Sequence, residues 1–159
     1  MTFRLCVFAL TALPLLASAG ECSQDALNEG RAKWAAAKVK SYRFILWEWA
    51  DAASTFDRSP VRVTVSDGKV ISSRFLHYAS QRSTELEFDI TELEAADIAE
   101  RDTIPNLFTL IERHLEQTDL RQSCTLHPDL GFPLTFNYSH INRSHGAYRF
   151  SVSDFEVLE

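Results

Sequence analysis

A chain of 159 residues with 45% hydrophobic residues and eleven Phe holds enough apolar side chain for a packed core, which excludes intrinsic disorder. Sixteen Lys and Arg against 22 Asp and Glu leave a net charge of −6, so the chain lacks the basic footprint of a nucleic-acid or anionic-lipid binder. Its five glycines are isolated from one another, and no phosphate-cradling loop or dinucleotide fingerprint can be built from them.

The first residues read as a leader. Arg4 supplies a basic start, residues 5–16 are an apolar run, and Ala17-Ser18-Ala19 places small side chains where a signal peptidase reads them. The expected layout is a signal peptide over residues 1–19 and a single α+β domain over residues 20–159. The run is too short for a convincing transmembrane helix, so the mature chain is expected to have no integral membrane segment. Glu21 before Cys22 argues against lipid anchoring at Cys22, because that position should be small. Removal of Arg4 leaves fifteen Lys and Arg (16 less one) against 22 acids, a charge of −7. The mature chain keeps two cysteines, Cys22 and Cys124. In a periplasmic or extracellular setting they most simply form one bridge, with free or metal-binding thiols as the alternative. The bridge would close a loop of about 100 residues, worth roughly 4–5 kcal/mol in the chain-entropy model.

Residues 23–40 predict a helix capped by Ser23, with Asp25 in its first turn and Trp34 as the anchor of a thin, alanine-rich stripe. Residues 41–50 predict a strand. Tyr42, Phe44 and Leu46 fall on one face, and Ile45, Trp47 and Trp49 on the other. Both faces are apolar, which fits a strand covered on both sides or an exposed aromatic patch led by Trp47 and Trp49. Val61 to Val65 alternates, Asp67-Gly68 is a two-residue turn, and residues 69–76 return as the second arm of a hairpin. Residues 83–90 alternate again. Eight acids lie within residues 85–102, yet they lack the spacing of a calcium loop and read as a solvated face.

Thr103-Ile104-Pro105 predicts a capped helix start, with Ile104, Leu107, Phe108, Ile111 and Leu115 as its stripe and His114 beside it. Residues 121–126 predict a strand carrying Cys124. After a Pro128–Pro133 turn, Leu134, Phe136, Tyr138 and His140 alternate along another. The last strand runs through Tyr148, Phe150 and Val152, and its apolar phase then shifts to Phe155 and Val157. A bulge near Ser153-Asp154 explains the shift. The expected fold is α+β: an N-terminal helix, an antiparallel sheet of five to seven strands, and a second helix after the first strand group.

Three segments together resemble one family. They are Ser41-Tyr42-Arg43-Phe44 with the hairpin from Val61 to Val70; Thr103-Ile104-Pro105-Asn106-Leu107-Phe108-Thr109-Leu110-Ile111; and His127-Pro128-Asp129-Leu130-Gly131-Phe132-Pro133. The chain resembles the bacterial secreted and lipoprotein family known as domain of unknown function 6174. The resemblance implies a small α+β domain of the cell envelope and no particular activity.

No G-x-S-x-G, H-E-x-x-H or C-x-x-C occurs, which weakens hydrolase, zinc-protease and thiol-redox readings. In the Pro128–Pro133 turn, Gly131 is expected to supply a positive φ and Asp129 to bond the turn backbone. The functional alternative makes His127 and Asp129 a proton-transfer or metal pair, joined by His140 or His145. No cofactor and no metal is called for. The leading functional expectation is a non-enzymatic module that binds an envelope protein through sheet or aromatic surface, such as Trp47 and Trp49 or the final strand. Behind it stand an apolar-ligand binder with a pocket between helix and sheet, and an enzyme using His127 and Asp129.

Overall fold

A computed structural model of the chain describes residues 20–50, 58–78, 85–89, 103–143 and 146–159. The expected leader at 1–19, the acidic run beyond Asp89 and His145 lie outside the described residues. In chain order the elements are β1 (Gly20–Glu21), α1 (Gln24–Ala37), β2 (Tyr42–Ala50), β3 (Arg58–Ser66), β4 (Lys69–Tyr78), β5 (Glu85–Asp89), α2 (Ile104–Leu115), β6 (Leu120–Leu126), β7 (Pro133–His140) and β8 (Tyr148–Val157). The eight strands form one antiparallel sheet in the order β1-β6-β7-β8-β2-β3-β4-β5. Six long strands make its body, and the short β1 and β5 close its two edges. The α+β expectation is met, with one helix N-terminal and the other after the first strand group.

Local chemistry accounts for the element boundaries. Ser23 caps α1 by accepting from the Ala26 N–H at 3.2 Å, and the helix ends at Lys38, whose φ is +53°. Its last helical residue, Ala37, is three residues short of the expected end. Thr103 caps α2 by accepting from the Asn106 N–H at 3.3 Å, and Pro105 occupies the first turn, where no N–H is missed. Asp67 and Gly68 both have positive φ, +48° and +75°, which lets a two-residue turn follow the strand twist. The Gly68 N–H also donates to Lys40 O, tying the hairpin tip to the start of β2.

Both helices cover one face of the sheet. Their buried residues Leu27, Ile104, Leu107, Phe108 and Ile111 pack with Phe44, Leu46, Val63, Phe136 and Phe150 of the strands. Trp34 anchors α1 edge-on against Tyr42, Phe132 and Phe155 at 5.4–6.0 Å. The predicted bulge in β8 is present: Asp154 has φ +48°, the β2–β8 register slips between Arg43 and Ile45, and Phe155 is returned to the core side. Cys22 and Cys124 are bridged with Cα atoms 5.1 Å apart, and β1 pairs Gly20 with Cys124 next to the bridge. The start of α1 is thereby fixed to β6. Among the described residues, no helix is long and apolar enough to cross a membrane.

Candidate functional site

The turn between β6 and β7 carries the densest local motif, and its chemistry is turned inward. The His127 N–H donates to Phe132 O at 2.7 Å, and the Gly131 N–H donates to His127 O at 2.8 Å. The His127 Nδ1 accepts from the backbone N–H groups of Asp129 at 3.3 Å and Leu130 at 3.1 Å, and its ring stacks on buried Phe132. An Nδ1 that accepts two N–H groups keeps its lone pair for the backbone. Asp129 meets the imidazole through its main chain, and its side chain is exposed. Gly131, with φ +74°, packs directly on Gly30 of α1: a Cβ at Gly131 would lie 2.4 Å from Gly30 O. The turn is thus the clamp that seats α1 on the sheet, with Lys33 Nζ reaching Pro128 O at 3.5 Å.

His114 and His140 lie away from this turn. His114 bonds Leu110 O through Nδ1 and stacks on Tyr138 at 4.5 Å, whereas His140 bonds Asp119 at 3.1 Å. Among the described residues, no three His, Cys, Asp or Glu side chains converge to hold a metal ion.

The face of the sheet away from the helices is built differently. Strand alternation puts Ile45, Trp47 and Trp49 of β2 on it, opposite in register to Ser153, Ser151 and Arg149 of β8. The next strand, β7, contributes Thr135 opposite Ser151 and Asn137 opposite Arg149. Ile45 is buried, but Trp47 and Trp49 are 41% and 38% exposed. They are one side-chain repeat apart, about 7 Å along the strand. Together with Pro60, Asn137, Arg149, Ser151 and Glu48, whose carboxylate accepts from the Tyr148 hydroxyl, they line an open depression of about 720 Å³. The Arg149 guanidinium lies 5.3 Å from the centre of the Trp49 ring, a cation–π contact that holds both side chains in place. A second depression continues past Trp49 toward Arg121, Ser123 and Ser139. By contrast, the helix–sheet layer is filled by side chains such as Phe44, Phe108, Phe132, Phe136 and Phe150.

Of the sequence-predicted residues, the structure brings Trp47 and Trp49 to one exposed platform and places His127 and Asp129 in a separate turn. Two members of the platform's surroundings, Arg149 and Asn137, escaped sequence reasoning. Alternation along β7 and β8 puts both on their strands' polar face; only the β7–β8–β2 adjacency brings them to the tryptophans.

A sequence profile described as "Family of unknown function (DUF6174)" matches residues 26–157. The chain belongs to this family. The match spans every strand from β2 to β8, both the clamp turn and the aromatic platform included. No curated protein and no solved structure matches the chain.

Proposed function

We propose that the protein is exported and works outside the cytoplasm as a non-enzymatic module that binds another protein through the open face of its sheet. The observation that carries this reading is the pair Trp47 and Trp49, both more than a third exposed, side by side over a depression on a rigid strand. Burying what remains exposed of each ring would contribute roughly 2 kcal/mol. Tryptophan and arginine are the residues that most often dominate protein interfaces, and here Arg149 already rests on Trp49. β2 is held between β3 and β8, so the platform is pre-organised and little ordering entropy opposes binding. Export is supported by the leader-like residues 1–19 and by a cysteine pair placed for a disulfide, which suits an oxidising compartment. A bridged Cys22 also has no thiol left to carry a lipid.

The test is purification of the tagged protein from its own cell envelope after brief crosslinking, beside the Trp47→Ala/Trp49→Ala variant. A stoichiometric protein partner that the variant loses is the expected result. Retention of that partner by the folded variant would remove the open face from the reading. N-terminal sequencing of the exported protein is expected to begin at Gly20.

A further inference from the structure

The open face is basic although the protein is acidic. Its six long strands carry Arg43, Arg62, Arg74, Arg121 and Arg149 at open-face positions, by alternation and register. The carboxylates at the far end of β8 are already engaged: Glu156 pairs with Arg43, and Asp154 accepts from the Ser153 hydroxyl at the bulge. Arg62 and Arg74 face each other in register and make further interactions of their own. Arg149 stands opposite Trp49 in register, and Arg121 lines the depression that continues past Trp49. Both are exposed, on strands separated only by β7, roughly 10 Å apart across the sheet. Between them stand Asn137, opposite Arg149, and Ser139, opposite Arg121. Both are exposed and neutral, and both can hydrogen-bond.

Resting on the reading that this face binds a protein, we propose that the bound segment is acidic. Its apolar side chains seat on Trp47 and Trp49, and its Asp or Glu carboxylates pair with Arg149 and Arg121. A guanidinium meets a carboxylate through two parallel N–H bonds, and the Trp49 ring beneath Arg149 fixes the plane in which that fork is presented. A short segment suits the face better than a long polyanion. The protein as a whole carries −6. A nucleic acid or an anionic bilayer would meet the overall negative field, whereas a peptide lying along β2 and β8 meets the basic, aromatic middle.

The experiment is selection of a phage-displayed library of random 12-residue peptides on the purified protein, followed by titration of the best synthetic peptide. Selected sequences are expected to be enriched in Asp and Glu beside an apolar residue. Changing those acids to Asn and Gln, or making Arg149→Gln/Arg121→Gln in the protein, is expected to weaken binding at least tenfold. The peptide substitution leaves the protein untouched, so misfolding cannot imitate this result. Peptides that need Trp47 and Trp49 but show no acidic enrichment would overturn the inference and leave the binding face standing. Peptides indifferent to Trp47→Ala/Trp49→Ala would overturn both. Tighter binding to phosphatidylglycerol vesicles or to a 20-mer oligothymidylate, through the same arginines, would also overturn it by naming a different occupant.

Discussion

Replacing Gly30 by Ala should destabilise this protein, against the usual behaviour of a helix interior. Gly30 lies in the middle of α1, where alanine in place of glycine normally gains about 1 kcal/mol of helix propensity. Here the new Cβ would lie 2.5 Å from Gly131 O and 2.8 Å from a methyl of Leu126. The first of these is backbone, held by the Gly131 N–H bond to His127 O inside the clamp turn, so it can yield only if α1 lifts from the sheet. Overpacking of this kind costs about 1–3 kcal/mol. Because the closest contact is with backbone, the upper part of that range, about 2–3 kcal/mol, applies; less the propensity gain of about 1 kcal/mol, the net expectation is a loss of about 1–2 kcal/mol and a Tm lower by roughly 3–6 °C. Urea denaturation followed by circular dichroism measures it. Ala32→Gly, at an exposed position of the same helix, serves as the control and should lose about 1 kcal/mol. Glycine would then be preferred at one position of α1 and alanine at the other. A Gly30→Ala variant more stable than the parent would refute the close helix–turn contact and with it the clamp role of the His127–Phe132 turn.

The Cys22–Cys124 bridge spans a sequence separation of 102, and its removal by Cys22→Ser/Cys124→Ser should lower stability by about 4–5 kcal/mol in the chain-entropy model. An unchanged denaturation midpoint with and without reductant would show that it does not fix α1 to β6. The Tyr42 hydroxyl accepts from the buried Ile104 N–H at 3.1 Å, so Tyr42→Phe should cost about 1–3 kcal/mol by orphaning that donor. Burial raises the Tyr42 pKa above 10.0, outweighing the lowering effect of the Ile104 bond. A raised folded value favours the neutral phenol, so its contribution holds below pH 10 and is lost as pH climbs through the folded value; an alkaline stability titration of parent and Tyr42→Phe should converge there. At the β8 bulge, Asp154→Val should lose about 1–2 kcal/mol through its left-handed backbone, whereas Asp154→Gly should be nearly neutral in the same assay.

The elements themselves were legible in the residues. Ser23 and Thr103 announce helix starts because a side-chain oxygen must satisfy orphan N–H groups, and Asp67-Gly68 announces a hairpin because positive φ suits glycine and aspartate. The bulge at Ser153-Asp154 followed from a phase change that a period-two strand cannot otherwise absorb. These are local demands, met within a few residues. What the sequence left open is which strands become neighbours. β8 lies between β7 and β2, so Trp49 and Arg149 meet across 100 positions, and that adjacency alone turns two polar strand faces and one aromatic face into a platform. It also decided that one side of β2 is covered by helices and the other stands open around Trp47 and Trp49. The same holds for the His127–Phe132 motif: its Pro, Asp and Gly spell a turn, but only the packing of Gly131 on Gly30 shows that the turn clamps a helix. Backbone conformation is set by each residue's own sterics and hydrogen bonds. Surfaces are set by which distant segments bury their apolar faces together, and that is settled only when the whole chain closes on its core.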